Sequence, residues 1–68
     1  MIEGSSVFIA GHTGLVGSAI LRALNHRGKY TLITASRSEL DLTNQYSVNH
    51  WFAKTKPDYV FLAAAKNT

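Results

Sequence analysis

The sequence feature that most constrains this chain is a corner of three glycines, Gly11, Gly14 and Gly17, spaced three residues apart. It follows the apolar run 7–10 and opens the run 15–25, so it lies between a predicted strand and a predicted helix. Gly11 suits a tight turn, Gly14 lets the backbone approach a ligand closely, and Gly17 lets the helix pack against its strand. Backbone N–H groups and the positive helix end would then favour a diphosphate. The turn is one residue longer than in G-x-G-x-x-G, and a glycine corner without a ligand is the alternative.

Apolar periodicity divides the whole chain into alternating strands and helices. The predicted strands cover residues 6–10, 30–34, 38–42 and 59–65, and the predicted helices cover residues 14–27 and 44–55. The short third strand rests on the alternation of Leu40 and Leu42 with two acidic residues. The last strand lacks alternation, which is typical of burial on both faces in a parallel sheet. The predicted fold class is α/β: a partial, Rossmann-like parallel sheet of order 3-2-1-4 with helices on both faces.

Capping and spacing predict the ends and the buried faces of the two helices. In the first helix, Gly28 is the predicted left-handed residue beyond the end. Its predicted apolar stripe consists of Val16, Ala19, Ile20, Ala23 and Leu24. In the second helix Thr43 is the predicted N-cap. The apolar face of that helix is predicted to be Val48, Trp51 or Phe52, and Thr55.

Size, charge and the absence of cysteine exclude several functional classes. The 68 residues form one domain at most, and without cysteine no disulfide or thiolate metal site is possible. The net charge is +3, but the basic residues are scattered, so we expect no nucleic-acid partner. The longest apolar run, 59–65, is too short to cross a bilayer, and residues 1–4 lack the basic segment of a signal peptide. We therefore expect a cytoplasmic location and no membrane partner.

The residue at the end of the second strand indicates which dinucleotide the corner would bind. An acidic residue there would bind the ribose 2′-hydroxyl of NAD, whereas a basic residue would pair with the 2′-phosphate of NADP. Residues 34–37 contain no acid, and Arg37 falls about twenty residues after the glycine corner. The sequence therefore favours NADP. Arg37 as a solvated loop residue is the alternative, and Glu39 is a rival for a ribose contact.

Further along the chain, several residues are candidates for contact with the rest of a dinucleotide. Asp41 and Leu42 end the predicted third strand, where a carboxylate or amide would meet adenine and an apolar side chain would pack on its ring. A charge near the start of the following helix is the alternative role for Asp41. Ala63 and Ala64 would leave room for a ribose–phosphate to pass, unless their small size serves helix packing. His12 lies in the glycine corner and can donate to a phosphate.

Catalytic and metal-binding constellations are not visible in these residues. The three histidines, at positions 12, 26 and 50, have no metal-ligand spacing, so no metal site is expected. Tyr46 and Tyr59 are not followed four residues later by lysine, so a Tyr-x-x-x-Lys pair is absent. We assign no catalytic residue, and a chain of these 68 residues alone is not expected to turn over a substrate.

Four stretches resemble the GDP-L-fucose synthase family, which are NADPH-dependent epimerase/reductases of the extended short-chain dehydrogenase/reductase group. Residues 8–20 resemble its amino-terminal signature, residues 37–42 and 50–52 match further on, and residues 62–66 match the end of the fourth strand. The resemblance thus covers nearly the whole chain. The family continues with a glycine pair where this chain reads Asn67 and Thr68. We therefore expect a fragment or a truncated product, the amino-terminal half of an NADP-binding Rossmann domain without its substrate domain.

The resemblance implies a cofactor, a substrate class and a set of binding residues. The cofactor is NADP, and the substrate of the parent protein is a nucleotide sugar, GDP-4-keto-6-deoxy-mannose, converted to GDP-L-fucose by a homodimer. The residues expected to bind NADP are Gly11, His12, Thr13, Gly14, Leu15, Val16, Gly17, Arg37, Ser38, Asp41, Leu42, Ala63 and Ala64. The family's catalytic serine, tyrosine and lysine have no counterpart here. Two alternatives remain open: an inactive nucleotide-binding module, and an epimerase/reductase for another nucleotide sugar.

Overall fold

The described part of the chain folds into a three-stranded parallel sheet with one helix packed against each face. In the computed structural model, which describes residues 2–63, the elements are β1 (Ser6–Ala10), α1 (Leu15–Arg27), β2 (Thr31–Ile33), α2 (Gln45–Thr55) and β3 (Tyr59–Leu62). The strand order is β2-β1-β3, and both neighbours of β1 run parallel to it. The prediction of an α/β parallel sheet with helices on both faces is therefore confirmed.

The core lies on β1, the central strand, whose last four residues are 0–2% exposed. Side chains alternate along a strand, so neighbouring residues face opposite sides of the sheet. Val7 and Ile9 pack with Leu24 of α1, while Phe8 and Ala10 lie on the side of α2. A strand buried on both faces must be continuously apolar, which explains why residues 7–10 contain no polar side chain.

Helix α1 contacts the sheet through a face that is shifted by one residue from the predicted stripe. Gly17 and Leu24 are buried, and Ile20 and Leu21 pack against the core, which is the spacing of one helix face. The predicted Val16 is instead 60% exposed, and Ala19 and Ala23 are exposed too. The reason is that Gly17 has no side chain, so α1 comes closest to the glycine corner at that residue. The helix ends as predicted at Gly28, which has φ 66° and donates its N–H to the Leu24 carbonyl at 3.3 Å.

Helix α2 begins at a cap that differs from the predicted one. Asn44, not Thr43, is the N-cap, and its side-chain oxygen accepts the Ser47 N–H at 3.1 Å. Thr43 is occupied elsewhere, because its hydroxyl donates to Asp41. The predicted apolar face is otherwise confirmed, since Val48, Trp51 and Phe52 pack against the Phe8 side of the core. The Trp51 and Phe52 rings lie with their centroids 5.7 and 5.8 Å from the Phe8 ring.

We expect Asn44→Ala to destabilise the fold by about 1 kcal/mol, because an N-terminal amide of α2 then loses its acceptor. Urea unfolding monitored by Trp51 fluorescence would measure the loss. Asn25→Ala, on the exposed side of α1, is the matched control and should change stability by less than about half as much. Equal effects of the two substitutions would contradict the assignment of Asn44 as a cap.

The predicted third strand, residues 38–42, is wrong: the chain forms two consecutive turns there. The Ser36 N–H donates to Glu39 Oε1 at 3.1 Å, and the Glu39 N–H donates back to Ser36 Oγ at 3.3 Å. This reciprocal pair is the arrangement of a helix capping box, and it holds the backbone out of an extended conformation. Leu40 is 5% exposed and packs beside Phe8. This segment therefore contacts the core through one buried leucine and not through a strand with alternating buried residues.

Strand β3 is half-buried rather than buried on both faces as its composition predicted. Tyr59 and Phe61 pack towards α1, whereas Val60 and Leu62 are exposed, Leu62 to 78%. The reason lies in the placement of α2, which covers Phe8 and Ile33 and not the β3 side of the sheet. Residues 64 and 65 of the predicted strand lie outside the described part of the chain.

Candidate functional site

A cleft of about 800 Å³ lies at the carboxyl edge of the sheet, where all three parallel strands end. In open α/β sheets ligands bind in the crevice outside this edge. The wall combines the glycine corner after β1, the segment after β2 and the first residue after β3. Its lining residues are Phe8, Ala10, Gly11, His12, Thr13, Gly14, Ala35, Ser36, Arg37, Leu40, Asp41, Leu42, Thr43 and Ala63.

The glycine corner is built by two close backbone approaches. Gly11 has φ 80°, a left-handed conformation that favours glycine, and its carbonyl accepts the Gly14 N–H at 3.0 Å. Gly17 lies beneath it: a Cβ on Gly17 would fall 2.0 Å from the Gly11 carbonyl oxygen. The predicted turn at Gly11 is therefore confirmed, and Gly17 does allow α1 to pack closely, but against the corner that follows β1 and not against the strand itself. Gly14 is different, because a Cβ there would lie 3.4 Å from the same oxygen, an ordinary contact.

The amino end of α1 lies at this cleft. The helix itself supplies no side chain that neutralises the positive end of its dipole. Gly14 is the N-cap and offers no side-chain cap, and the first turn contains no acidic residue. The first amides of a helix have no intrahelical acceptor, so they are available to a ligand. Backbone amides and the helix dipole together favour an anion at this point.

Arg37 lies on the cleft at the top of the turn that replaces the third strand. Within residues 2–63, the ion pair shorter than 4 Å is the one between Lys29 and Glu3, at 2.9 Å, so no carboxylate neutralises Arg37 there. Glu39, two residues away, instead accepts the Ser36 N–H and the Ser36 hydroxyl, both at 3.1 Å. The cleft therefore has two positive features, the α1 end and the Arg37 guanidinium.

At the same cleft, one oxygen of the Asp41 carboxylate already accepts hydrogen bonds from the chain. Its Oδ1 accepts the Thr43 N–H at 2.9 Å and the Thr43 hydroxyl at 2.6 Å, and these bonds lower the pKa of Asp41. The backbone N–H of Asp41 donates to Ser47 Oγ at 3.2 Å, which ties the turn to α2. Neighbouring Leu42 is exposed and presents an apolar surface to the cleft.

The predicted site residues divide into those that line the cleft and those that do not. The lining ones are Gly11, His12, Thr13, Gly14, Arg37, Asp41, Leu42 and Ala63. Leu15 and Val16 are exposed on the first turn of α1, Gly17 is buried under the corner, and Ser38 bonds to Ser36. Ala64 lies outside the described residues.

Several lining residues were not predicted from the sequence. Ala35 and Ser36 lie two and three residues after the end of β2, so the rule that ligands lie at the carboxyl edge of a sheet would have indicated them. Phe8 and Ala10 belong to the β1 face that α2 covers, which period-two alternation could have separated from its neighbours. Leu40 and Thr43 carried no such signal, because their position depends on turns that the sequence did not predict.

Acid should loosen the two turns that line the cleft. The Ser36 amide and hydroxyl bonds hold the pKa of Glu39 below its ordinary value of 4.5, and the Thr43 bonds lower the pKa of Asp41. A carboxyl group whose pKa is lower in the folded state stabilises the fold above the unfolded pKa, and the stabilisation is lost as the pH falls through the folded pKa. We therefore expect the urea midpoint to fall as the pH drops from about 5 towards 3.

The matched variants for this pH experiment are Glu39→Gln, Asp41→Asn and the double variant. Each should flatten the acid side of the stability profile, because an amide cannot titrate there, and the double variant should flatten it most. An acid slope identical in the wild type and the double variant would contradict the prediction.

The described part of the chain contains no membrane-spanning helix and no metal-ligand cluster. Between residues 2 and 63, neither helix has the length and apolar character needed to cross a membrane. In the same range no three side chains of the His, Cys, Asp or Glu type come together as a metal site would require.

Comparison with known proteins finds relatives that are named GDP-L-fucose synthases. It is 50% identical over 64 residues to GDP-L-fucose synthase 1 of Arabidopsis thaliana, covering 94% of this chain and 20% of the relative. It is 52% identical over 60 residues to GDP-L-fucose synthase of Escherichia coli strain K12, covering 88% of this chain and 19% of the relative. The chain thus spans about a fifth of the length of the curated relatives that it matches.

A solved structure and a family model agree with these relatives. The GDP-mannoheptose C4 reductase of Campylobacter jejuni, solved with NADP bound, superposes with a TM-score of 0.93 at 43% identity, over 98% of this chain and 20% of that one. The model of the NAD dependent epimerase/dehydratase family matches residues 7–68. That match begins at the second residue of β1 and includes the whole cleft. The chain therefore belongs to the NAD dependent epimerase/dehydratase family.

Proposed function

We propose that residues 1–68 are the NADP(H)-binding amino-terminal half of a Rossmann domain in a GDP-L-fucose synthase-like epimerase/reductase. The observation that carries the proposal is the cleft in which an uncapped helix end and Arg37 occur together, with no ion pair to Arg37 among residues 2–63. A dinucleotide with a 2′-phosphate carries anionic groups that need two such positions. The sequence similarity to GDP-L-fucose synthases supports the choice of enzyme.

The diphosphate, the 2′-phosphate, the adenine and a ribose–phosphate of NADP would each have a matching group in the cleft. The diphosphate would lie on the backbone N–H groups of the glycine corner and the first turn of α1, with His12 as a further donor. Arg37 would hold the 2′-phosphate, and Leu42 and Asp41 would meet the adenine. Ala63 would leave room for the ribose–phosphate; Ala64, for which the sequence predicts the same role, lies outside the described residues. The bound cofactor supplies hydride chemistry, and the residues of this chain bind and orient it.

The proposed substrate of the whole protein is GDP-4-keto-6-deoxy-mannose, which such an enzyme epimerises and reduces to GDP-L-fucose. A second candidate is another GDP-sugar reductase, since the matching Campylobacter jejuni protein is a GDP-mannoheptose C4 reductase. The cleft described here lies on the cofactor side and does not separate these substrates. A homodimeric parent protein and a cytoplasmic location remain predictions from the resemblance and the sequence.

The first test is the intact mass of the natural polypeptide that contains these residues. A mass several times 7.5 kDa supports a whole reductase, which should then oxidise NADPH with GDP-4-keto-6-deoxy-mannose as substrate. Faster NADPH oxidation with a GDP-4-keto-heptose would favour the second candidate. A mass of 7.5 kDa would overturn the proposed activity, and an NADPH titration would then distinguish a small binding module from an inactive remnant.

A further inference from the structure

Glu39 is hydrogen-bonded to Ser36, the residue that precedes Arg37. Its Oε1 accepts two hydrogen bonds at 3.1 Å from Ser36, one from the backbone N–H and one from the hydroxyl, and its own N–H returns to Ser36 Oγ. The Leu40 N–H closes the same turn on the Ser36 carbonyl at 2.9 Å. These bonds fix the backbone on both sides of Arg37.

The hydroxyl of Ser36 is saturated by this arrangement. A serine hydroxyl has one proton and two lone pairs, and here it donates to Glu39 and accepts the Glu39 N–H. The Ser38 hydroxyl lies 2.9 Å away, so Ser38 must be the donor in that pair. Ser36 therefore has no hydrogen-bonding capacity left for a ligand, and its whole polar function is to hold the turn.

Glu39 does not neutralise the charge of Arg37. A carboxylate that paired with an arginine would weaken the attraction of that arginine for an anion. Within residues 2–63 no ion pair to Arg37 is formed, and Glu39 Oε1 is bonded to Ser36. The bonds to Ser36 therefore hold the backbone turn that carries the guanidinium.

We propose that Glu39 is a positioning residue for cofactor choice: by clamping Ser36 it presents Arg37 to the 2′-phosphate of NADP, without touching the cofactor itself. This inference rests on the proposed function. It replaces the sequence-based alternative in which Glu39 binds a ribose hydroxyl directly. The residue acts through Arg37, so its effect should appear in the preference for NADPH over NADH.

The sign of the effect separates this role from simple electrostatics. NADPH carries more negative charge than NADH, so removal of any nearby carboxylate should strengthen NADPH binding if charge alone matters. Loss of the clamp should instead weaken it, because Arg37 is no longer held. Glu39→Ala removes both charge and clamp, whereas Glu39→Gln removes the charge and keeps an acceptor oxygen for the Ser36 N–H.

The experiment titrates NADPH and NADH into the natural full-length protein and its variants, with Glu3→Gln as an exposed acid-removal control on the far side of the fold from Arg37. We expect Glu39→Ala to weaken NADPH binding about tenfold with NADH binding nearly unchanged, and Glu39→Gln to restore most of the preference. In an Arg37→Ala background, Glu39→Ala should have no further effect on the NADPH/NADH ratio.

The outcomes distinguish failure of this inference from failure of the proposed function. If Arg37→Ala is selective for NADPH but Glu39→Ala strengthens NADPH binding or leaves it unchanged, the positioning role is overturned and the NADP assignment stands. A further selective loss on adding Glu39→Ala to Arg37→Ala also overturns it, because Glu39 would then act directly. If Arg37→Ala itself is not selective, the NADP assignment falls, and the role of Glu39 falls with it.

Discussion

Gly17→Ala should destabilise the fold by about 3 kcal/mol and abolish dinucleotide binding. The new Cβ would fall 2.0 Å from the Gly11 carbonyl oxygen and 2.6 Å from its carbon, so the helix or the corner must move. Alanine gains about 1 kcal/mol of helix propensity over glycine, which is too little to offset an overlap with backbone atoms. Urea unfolding of the natural full-length protein and an NADPH titration would measure the two effects.

Gly14→Ala is the matched control for this prediction, because it adds the same methyl group to the same corner. Its Cβ would lie 3.4 Å from the Gly11 oxygen, and Gly14 has φ −77°, which alanine adopts without strain. Stability should therefore change by less than about 1 kcal/mol, while NADPH binding still weakens because Gly14 is part of the cleft lining. Equal unfolding midpoints for the two variants would refute the close approach at Gly17.

Arg37→Ala should weaken NADPH binding by about tenfold to a hundredfold and leave NADH binding within about threefold of the wild type. The expected loss is that of charge-assisted hydrogen bonds to a phosphate that NADH lacks. Isothermal titration with both cofactors would measure it.

Arg22→Ala removes the same charge from the exposed surface of α1, outside the lining of the cleft. It should reduce both affinities only slightly, and less at higher salt, because a solvent-exposed charge is screened. Equal losses of NADPH and NADH binding in Arg37→Ala would contradict the assignment of NADP.

The unit from β1 to α1 was predictable because each of its signals is local. The continuous apolar run, the glycine spacing and the left-handed cap at Gly28 all act within a few residues of one another. The face of α1 was predicted one residue out of phase, since apolar periodicity counts large side chains and the contact is governed by an absent one, at Gly17. Sequence patterns that score hydrophobicity do not detect that kind of contact.

The third strand was mispredicted because two local codes competed over the same residues. Leu40 and Leu42 alternate as residues of a strand would, but Ser36 and Glu39 have the spacing of a capping box. The structure contains the capping box and not the strand. For the site, the position of Arg37 at the cleft was predictable from its distance to the glycine corner. The bonds between Ser36 and Glu39 could also have been predicted from their spacing, but we weighed only the strand-like alternation of the leucines.

The strand order β2-β1-β3 has a consequence for how the chain folds during synthesis. β1 is made first, but its two neighbours begin 25 and 53 residues later, at Thr31 and Tyr59. Such non-local pairings form slowly, and at translation rates of about 5–20 residues per second β1 waits roughly 3–10 s for β3. Throughout that interval residues 7–10, which are almost fully buried in the folded chain, form an exposed apolar segment. Until β3 emerges from the ribosome, the nascent chain is therefore open to aggregation through this segment and to binding by chaperones.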